Sequence, residues 1–183
     1  LMIRRPPRST HCISSAASDV YKRQTVEEGM AIATKLFQIL NKRGDGIGLA
    51  ANQVGIDAQV AVVNVREPLV LINPKIISKE NPIDFYEGCL SYPGQGVSTQ
   101  RYRDIVVQTA QEECGWYFSG AESLQDVRGQ WEEQHKKDEQ EKRILESVCV
   151  QHEIDHLFGK LYVDRVADKE LLMYEDELKN LDN

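Results

Sequence analysis

The stretch ILESVCVQHEIDHLF, residues 144–158, is apolar on most sides and yet sets two imidazoles four residues apart. An all-round apolar pattern predicts a helix buried through the middle of the domain, with Gly159 as its C-cap. Residues four apart on a helix lie about 40° apart around the axis and one turn along it, so His152 and His156 can reach one ion from the same side. Glu153 stands beside a ligand without being one. In an H-E-x-x-H arrangement such a carboxylate takes a proton from water at the ion and later delivers it to a leaving group. A structural zinc site uses four protein ligands and has no need of that carboxylate, so the pattern points to catalysis.

The rest of the chain must supply a fold around this helix. With 183 residues it is long enough for one domain with a proper core and short for two. Its 29 acidic residues outnumber 22 basic ones, giving a net charge of -7. That balance argues against a nucleic-acid partner. No apolar run reaches the roughly 18 residues that would span a bilayer. Cys12, Cys89, Cys114 and Cys149 are widely and irregularly spaced, which suggests no disulfide framework and a reducing compartment.

Residues 1–24 show no hydrophobic periodicity and are expected to be disordered. Their segments RRPPRST and VYKRQ resemble translated sequencing-adapter sequence, so this stretch is read as non-native and the catalytic domain as residues 25–183. Structure is expected to begin at TVEE, where Thr25 and Glu28 can cap a helix reciprocally. Val26, Met30, Ala33, Phe37 and Leu40 form its apolar stripe, which should stop near NKRGDG. The Val- and Ile-rich runs 59–65, 68–74, KIIS and 104–110 read as strands. From Glu122 to Leu157 the pattern turns helical, its polar first part reading as a solvated face with i, i+4 pairs such as Glu139 with Arg143. A short strand LYV follows, and Asp168 can cap a last amphipathic helix.

A catalytic ion with one open position wants a third protein ligand, and three residues compete for the place. Cys149 shares the helix, but its side chain leans away from His156, which lies roughly 10 Å further along the axis. Glu175, on the following helix, would make the chain a zincin-like metallopeptidase with His152 and His156. Cys89, in EGCLSYP, sits in an irregular loop edging a strand, from which a thiolate can face a helix. One more stretch bears on the question. GDGIGLAANQVG, residues 44–55, is so rich in glycine and alanine that something must approach its backbone, and it offers the neutral amide of Gln53 as an oxyanion donor.

Together GIGLAANQ, EGCLS and QHEIDH resemble, in order, the three signature motifs of the peptide deformylase family, over most of residues 25–166. The resemblance implies Cys89, His152 and His156 as metal ligands and Glu153 as proton carrier. It implies Gln53 and the backbone N–H of Leu90 as holders of the oxyanion. Ile47, Gly48, Phe85, Leu145, Val148 and Cys149 should line the pocket for a methionine side chain, and Glu87 with Arg101 should form a supporting ion pair behind the Cys89 loop. The fold implied is α+β, with antiparallel or mixed strands around the central metal-binding helix, an N-terminal helix and a short C-terminal one. The activity implied is removal of the formyl group from N-terminal formyl-methionine of new polypeptides, releasing formate. One ferrous ion per chain is expected, zinc or another divalent ion being compatible with the same ligands. The same resemblance implies a cytoplasmic monomer working on nascent chains near the ribosome exit, in a bacterium or in the host of a phage that encodes it. The chain departs from the family pattern in two places. The adapter-like stretch stands where an extended segment with a Pro and a Leu-Arg pair is expected, and residues 111–143 are longer and more polar than the usual link.

Overall fold

The computed structural model describes residues 23–112, 114–119 and 133–166. Helix α1, Val26–Arg43, opens with the reciprocal cap expected of TVEE. The Glu28 N–H donates to Thr25 Oγ1 at 3.2 Å, and the Glu28 carboxylate accepts from the Thr25 N–H at 2.9 Å. Gly44 closes the helix at φ 72°, its N–H bonded to the Leu40 carbonyl at 3.1 Å. A residue with a Cβ pays a steric penalty in that left-handed conformation. The buried stripe is Gly29, Ala33, Leu36 and Leu40. It is rotated from the expected one: Val26 and Met30 are 42% and 45% exposed. Gly29 is the cause, because a Cβ there would lie only 2.5 Å from Ile72 Cδ1. The bare backbone lets α1 press onto the sheet at that point and turns its neighbours outward.

Two antiparallel sheets follow. The first holds β1 (Gly48–Ala50), β2 (Val60–Asn64) and β3 (Pro68–Ile72) in that order. Its central strand, VAVVN, is apolar on both faces because both are covered. Val60 and Val62 pack with Leu36 and Leu40 of α1, whereas Ala61 and Val63 pack with Val150 and Ile154 of the last helix. Burying each of those valines fully stabilises the fold by about 1.5–3 kcal/mol. Gln24, ahead of the expected start of structure, is tied to this sheet. Its N–H donates to Asn73 Oδ1 at 3.1 Å, and its Oε1 accepts from the Gln59 N–H at 2.7 Å.

The second sheet is larger than the sequence suggests. KIIS is only the start of β4, Lys75–Cys89, and 104–110 overlaps the end of β5, Tyr92–Gln108; β6, Trp116–Ser119, pairs on the far side of β5. Asn and Pro are depleted in strands, yet β4 runs through Asn81 and Pro82. Asn81 takes φ 56° and donates through Nδ2 to Asp104 on the neighbouring strand. EGC is therefore the end of a strand. Cys89 pairs with Tyr92 across a two-residue turn, and a register shift lies between Gly88 and Cys89.

Helix α2, Glu133–Leu157, runs between the sheets. Every residue from Ser147 to Leu157 is buried, as the apolar pattern predicts. Gly159 ends the region at φ 69°. LYV is not a strand but leads into a 3-10 turn, Tyr162–Arg165. Asp164 accounts for the difference, since its carboxylate accepts from the Leu161 N–H at 3.0 Å while its own N–H bonds back to the Leu161 carbonyl at 2.9 Å. Such a local pairing offers the backbone an alternative to a ladder. Val166 then makes an isolated bridge to Thr99 of β5. The α+β expectation holds, both sheets being antiparallel. The capping role of Asp168, the short C-terminal helix, residues 122–132 of the expected helical stretch and residues 1–22 lie outside the described residues. No described helix is long and apolar enough to cross a membrane.

Candidate metal centre

The two imidazoles project from the buried half of α2, one turn apart, and their Nε2 atoms stand 3.0 Å from each other. Cys89 reaches them from the end of β4, with Sγ 3.2 Å from His156 Nε2. The three donor atoms lie within 4.8 Å of one another and all three residues are buried. A tetrahedral site with ordinary bond lengths to nitrogen and sulfur has donor-to-donor edges of roughly 3.3–3.6 Å. The spacing thus fits one ion.

The electrostatics fit as well. Two imidazoles this close cannot both hold a proton in a dry interior. Burial and the neighbouring His152 charge push His156 down to about 3. Burial also acts to lower His152, but Cys89 and Glu87 outweigh it and raise the ring to about 10. A cation in place of the contested proton satisfies all three donors at once.

Glu87 sets the tautomer. Its Oε2 lies 2.7 Å from His152 Nδ1, so that nitrogen carries the proton and Nε2 keeps its lone pair for the centre. The Glu87 Oε1 accepts from Arg101 Nε at 2.7 Å, in a pair whose side chains are 6% and 2% exposed. Burial raises the Glu87 carboxyl, yet the bonds from His152, Arg101 and Thr99 prevail and hold it at about 2. The expected ion pair is present, and it is buried and bonded directly to a centre residue.

Glu153 stands on the side of the helix that faces β1. A Cβ on Gly48 would come within 2.8 Å of Cys149 Sγ and 2.9 Å of Glu153 Cδ. What approaches the glycine-rich backbone is therefore Glu153 and Cys149. Glu153 Oε2 is buried without a hydrogen-bond partner among the described residues. Burial pushes this carboxyl up to about 7, the His152 charge opposing and the Glu87 charge adding to the shift. Such a group is poised to exchange a proton near neutral pH.

Gln53 is oriented by its own strand end. The Ala50 N–H donates to Gln53 Oε1 at 2.8 Å, which sends the NH2 group toward the centre. There Nε2 lies 3.2 Å from His156 Nε2, 3.8 Å from Cys89 Sγ and 3.2 Å from Ser91 Oγ. Leu90 follows Cys89 in the β4–β5 turn and lines the cavity beside these groups.

A cavity of about 540 Å³ opens beside these groups, and Ile47, Gly48, Phe85, Leu145, Val148 and Cys149 all line it. Cys149 Sγ points to the Ile47 carbonyl at 3.8 Å and takes no part in the donor cluster. Its burial raises the thiol well above its usual value. Glu175 lies outside the described residues.

The polypeptide deformylase family model matches residues 7–171. This chain belongs to that family. The family is metal-dependent, and Cys89, His152 and His156 form a cluster that can hold an ion. The zincin-like alternative finds no support. A peptide deformylase of Buchnera aphidicola subsp. Acyrthosiphon pisum is 43% identical over 127 residues, 67% of this chain and 61% of that protein. One of Alkalilimnicola ehrlichii is 40% identical over 128 residues, 67% of this chain and 60% of the relative. The chain thus spans about three fifths of the length of these curated relatives. The crystal structure of a class I type b peptide deformylase from Acinetobacter baumannii superposes with a TM-score of 0.62 at 26% identity, covering 86% of this chain and 95% of that one. A peptide deformylase of Synechococcus elongatus in complex with actinonin gives 0.59 at 32% identity, covering 80% and 71%.

Several residues of this deformylase-family site escaped the sequence reading. Ser91 bonds Gln53, Thr99 donates to Glu87, and Asp155 and Arg165 extend the Arg101 pair. Asn52 donates through Nδ2 to the His156 carbonyl. Asp155 left a signal, a carboxylate within the apolar run of the buried helix. Arg165 left none, because its partner is chosen by the turn that follows Gly159.

Proposed function

We propose that this chain is a peptide deformylase, a metal-dependent hydrolase that removes the formyl group from the N-terminal formyl-methionine of new polypeptides. The observation that carries the reading is the convergence of Cys89, His152 and His156 beside a buried, unpartnered Glu153 carboxylate and the oriented amide of Gln53. Cys89, His152 and His156 hold a divalent ion, which supplies Lewis acidity and makes water nucleophilic near neutral pH. Ferrous iron is the expected ion, since this ligand set accepts iron or zinc and family members typically use iron.

The remaining roles belong to the chain. The methionine side chain enters the cavity between Phe85, Leu145 and Val148, which brings the formyl carbon to the centre. Gln53 Nε2 and the Leu90 N–H donate to the formyl oxygen as it gains negative charge. Glu153 accepts a proton from the attacking water, a role suited to a carboxyl lifted by burial. As the C–N bond breaks, Glu153 passes that proton to the departing nitrogen, releasing formate and a free amine. Glu87, backed by Arg101, keeps the His152 ring turned to the centre throughout. On this reading the protein acts as a cytoplasmic monomer on chains emerging from the ribosome.

The test is formate release from a formyl-Met peptide by protein purified without air and reconstituted with ferrous iron, alongside Glu153→Ala. The expected result is turnover by the parent and loss of about 100-fold or more in the variant, with its metal retained. No formate from the metal-loaded parent would overturn the activity. Equal turnover by aerobically prepared zinc protein would overturn the choice of iron.

A further inference from the structure

An unbroken line of charged groups runs from His152 to the protein surface. Beyond the Glu87–Arg101 pair, Arg101 Nη1 donates to Asp155 Oδ2 at 2.6 Å. Asp155 is gripped in turn by Arg165, with Nη2 to Oδ1 at 2.7 Å and Nε to Oδ2 at 3.1 Å. The Glu87, Arg101 and Asp155 side chains are buried, while that of Arg165 is 34% exposed. We propose that Arg165 is a positioning residue for the metal centre, acting through Asp155 and Arg101 on the Glu87 that orients His152.

The charge count supports this. Glu87, Arg101 and Asp155 alone leave two buried carboxylates sharing one guanidinium, and Arg165 brings the set to neutrality. Without it, Asp155 becomes an under-compensated buried charge, and Arg101 is the nearest cation left to draw upon. Arg101 has no reserve contact to hold it, because its Nη2 is buried without a partner among the described residues. A shift of Arg101 toward Asp155 loosens Glu87 and with it the His152 ring. The two-bond fork matters as much as the charge, since a planar guanidinium fixes a carboxylate in direction as well as distance.

The turn that carries Arg165 engages the site at two further points. The Tyr162 ring lies 6.0 Å from the His152 ring. Val166 bridges to Thr99, whose hydroxyl donates to Glu87. This inference rests on the reading of Cys89, His152 and His156 as metal ligands and does not require the hydrolytic activity.

The test is zinc affinity of the full chain, measured by chelator competition, with thermal stability recorded in parallel. Arg165→Gln should weaken binding roughly tenfold. Arg165→Lys, which keeps the charge and loses the fork, should fall between that variant and the parent. Should Arg165→Gln not fold, Arg165→Lys carries the test by the same criterion, a loss of affinity. Arg66→Gln removes a surface arginine that pairs with Glu139 and Glu146 on the same helix, and should leave affinity unchanged. In a Glu87→Gln background the line is already cut, so adding Arg165→Gln should change affinity little. Parent-like affinity with a lowered Tm in the Arg165 variants would reduce Arg165 to a structural tie, and full additivity with Glu87→Gln would show that it acts by another route; either overturns the proposal. A parent that binds zinc no better than Cys89→Ala would sink the metal centre and this inference together. A parent that binds zinc tightly but releases no formate would sink only the hydrolase reading.

Discussion

Glu87 Oε2 lies 2.7 Å from His152 Nδ1, although 65 residues separate them in the chain. The contact turns a histidine that could point either nitrogen inward into one whose Nε2 faces Cys89 and His156. Glu87→Gln keeps the shape and loses the charge, so it is expected to weaken divalent-metal affinity by about 10- to 100-fold. Chelator competition on the folded variant checks this, and unchanged affinity would mean that Glu87 serves only Arg101.

Gly48 is where backbone must pass beside Glu153. A methyl group there meets the Glu153 carboxylate and Cys149 Sγ, both buried and unable to retreat into solvent. Gly48→Ala should therefore displace Glu153 without touching Cys89 or the imidazoles. The expected outcome is a loss of turnover on the order of 100-fold with the metal content of the parent. Metal analysis alongside formate release separates the two, and loss of metal in step with activity would contradict the assignment.

Glu153 also predicts a pH dependence of the metal-free protein. Its carboxyl titrates at about 7 in the fold against an ordinary value of 4.5. Between those values the unfolded chain has released the proton while the folded chain still holds it, so folding is increasingly penalised as pH rises. The stability of the metal-free parent relative to Glu153→Gln should fall from about pH 4.5 to 7 and level off above. Melting curves of both proteins across that range decide it, and a flat difference would place Glu153 in a more polar setting than its burial implies.

Asp104 joins the three strands of the second sheet. It accepts from Asn81 on β4, from Ser119 on β6 at 2.6 Å and from its neighbour Arg103 at 3.1 Å. Burial acts to raise its carboxyl, but these bonds prevail and lower it. Asp104→Ala removes these bonds from donors that are exposed or half-buried and can turn to water, so it should cost about 0.5–1.5 kcal/mol in urea unfolding. Metal affinity should stay at the parent value, since the contact lies away from the centre.

What the chain's local order determined is the part governed by neighbours along the backbone. Thr25 and Glu28 cap each other across three residues, Gly44 supplies a left-handed stop, and His152 and His156 share a face because a helix repeats every 3.6 residues. Motif resemblance added the partners of that pair, Cys89 and Gln53 among them. β4 and β5 were harder to read: Asn81 and Pro82 look like punctuation, and only pairing with β5 shows that the strand continues through them. The apolar stripe of α1 was read correctly at Ala33 and Leu40 but not at Val26 and Met30, since the close approach of Gly29 to Ile72 is made by another element. Motif resemblance also supplied the Glu87–Arg101 pair, whereas the tertiary structure alone joined it to His152 and carried the line on through Asp155 to Arg165. Its members come from β4, β5, α2 and the last turn, and no sequence period links them. They meet because burying charge is costly, and chain segments brought together by apolar packing must dock with their opposite charges in register.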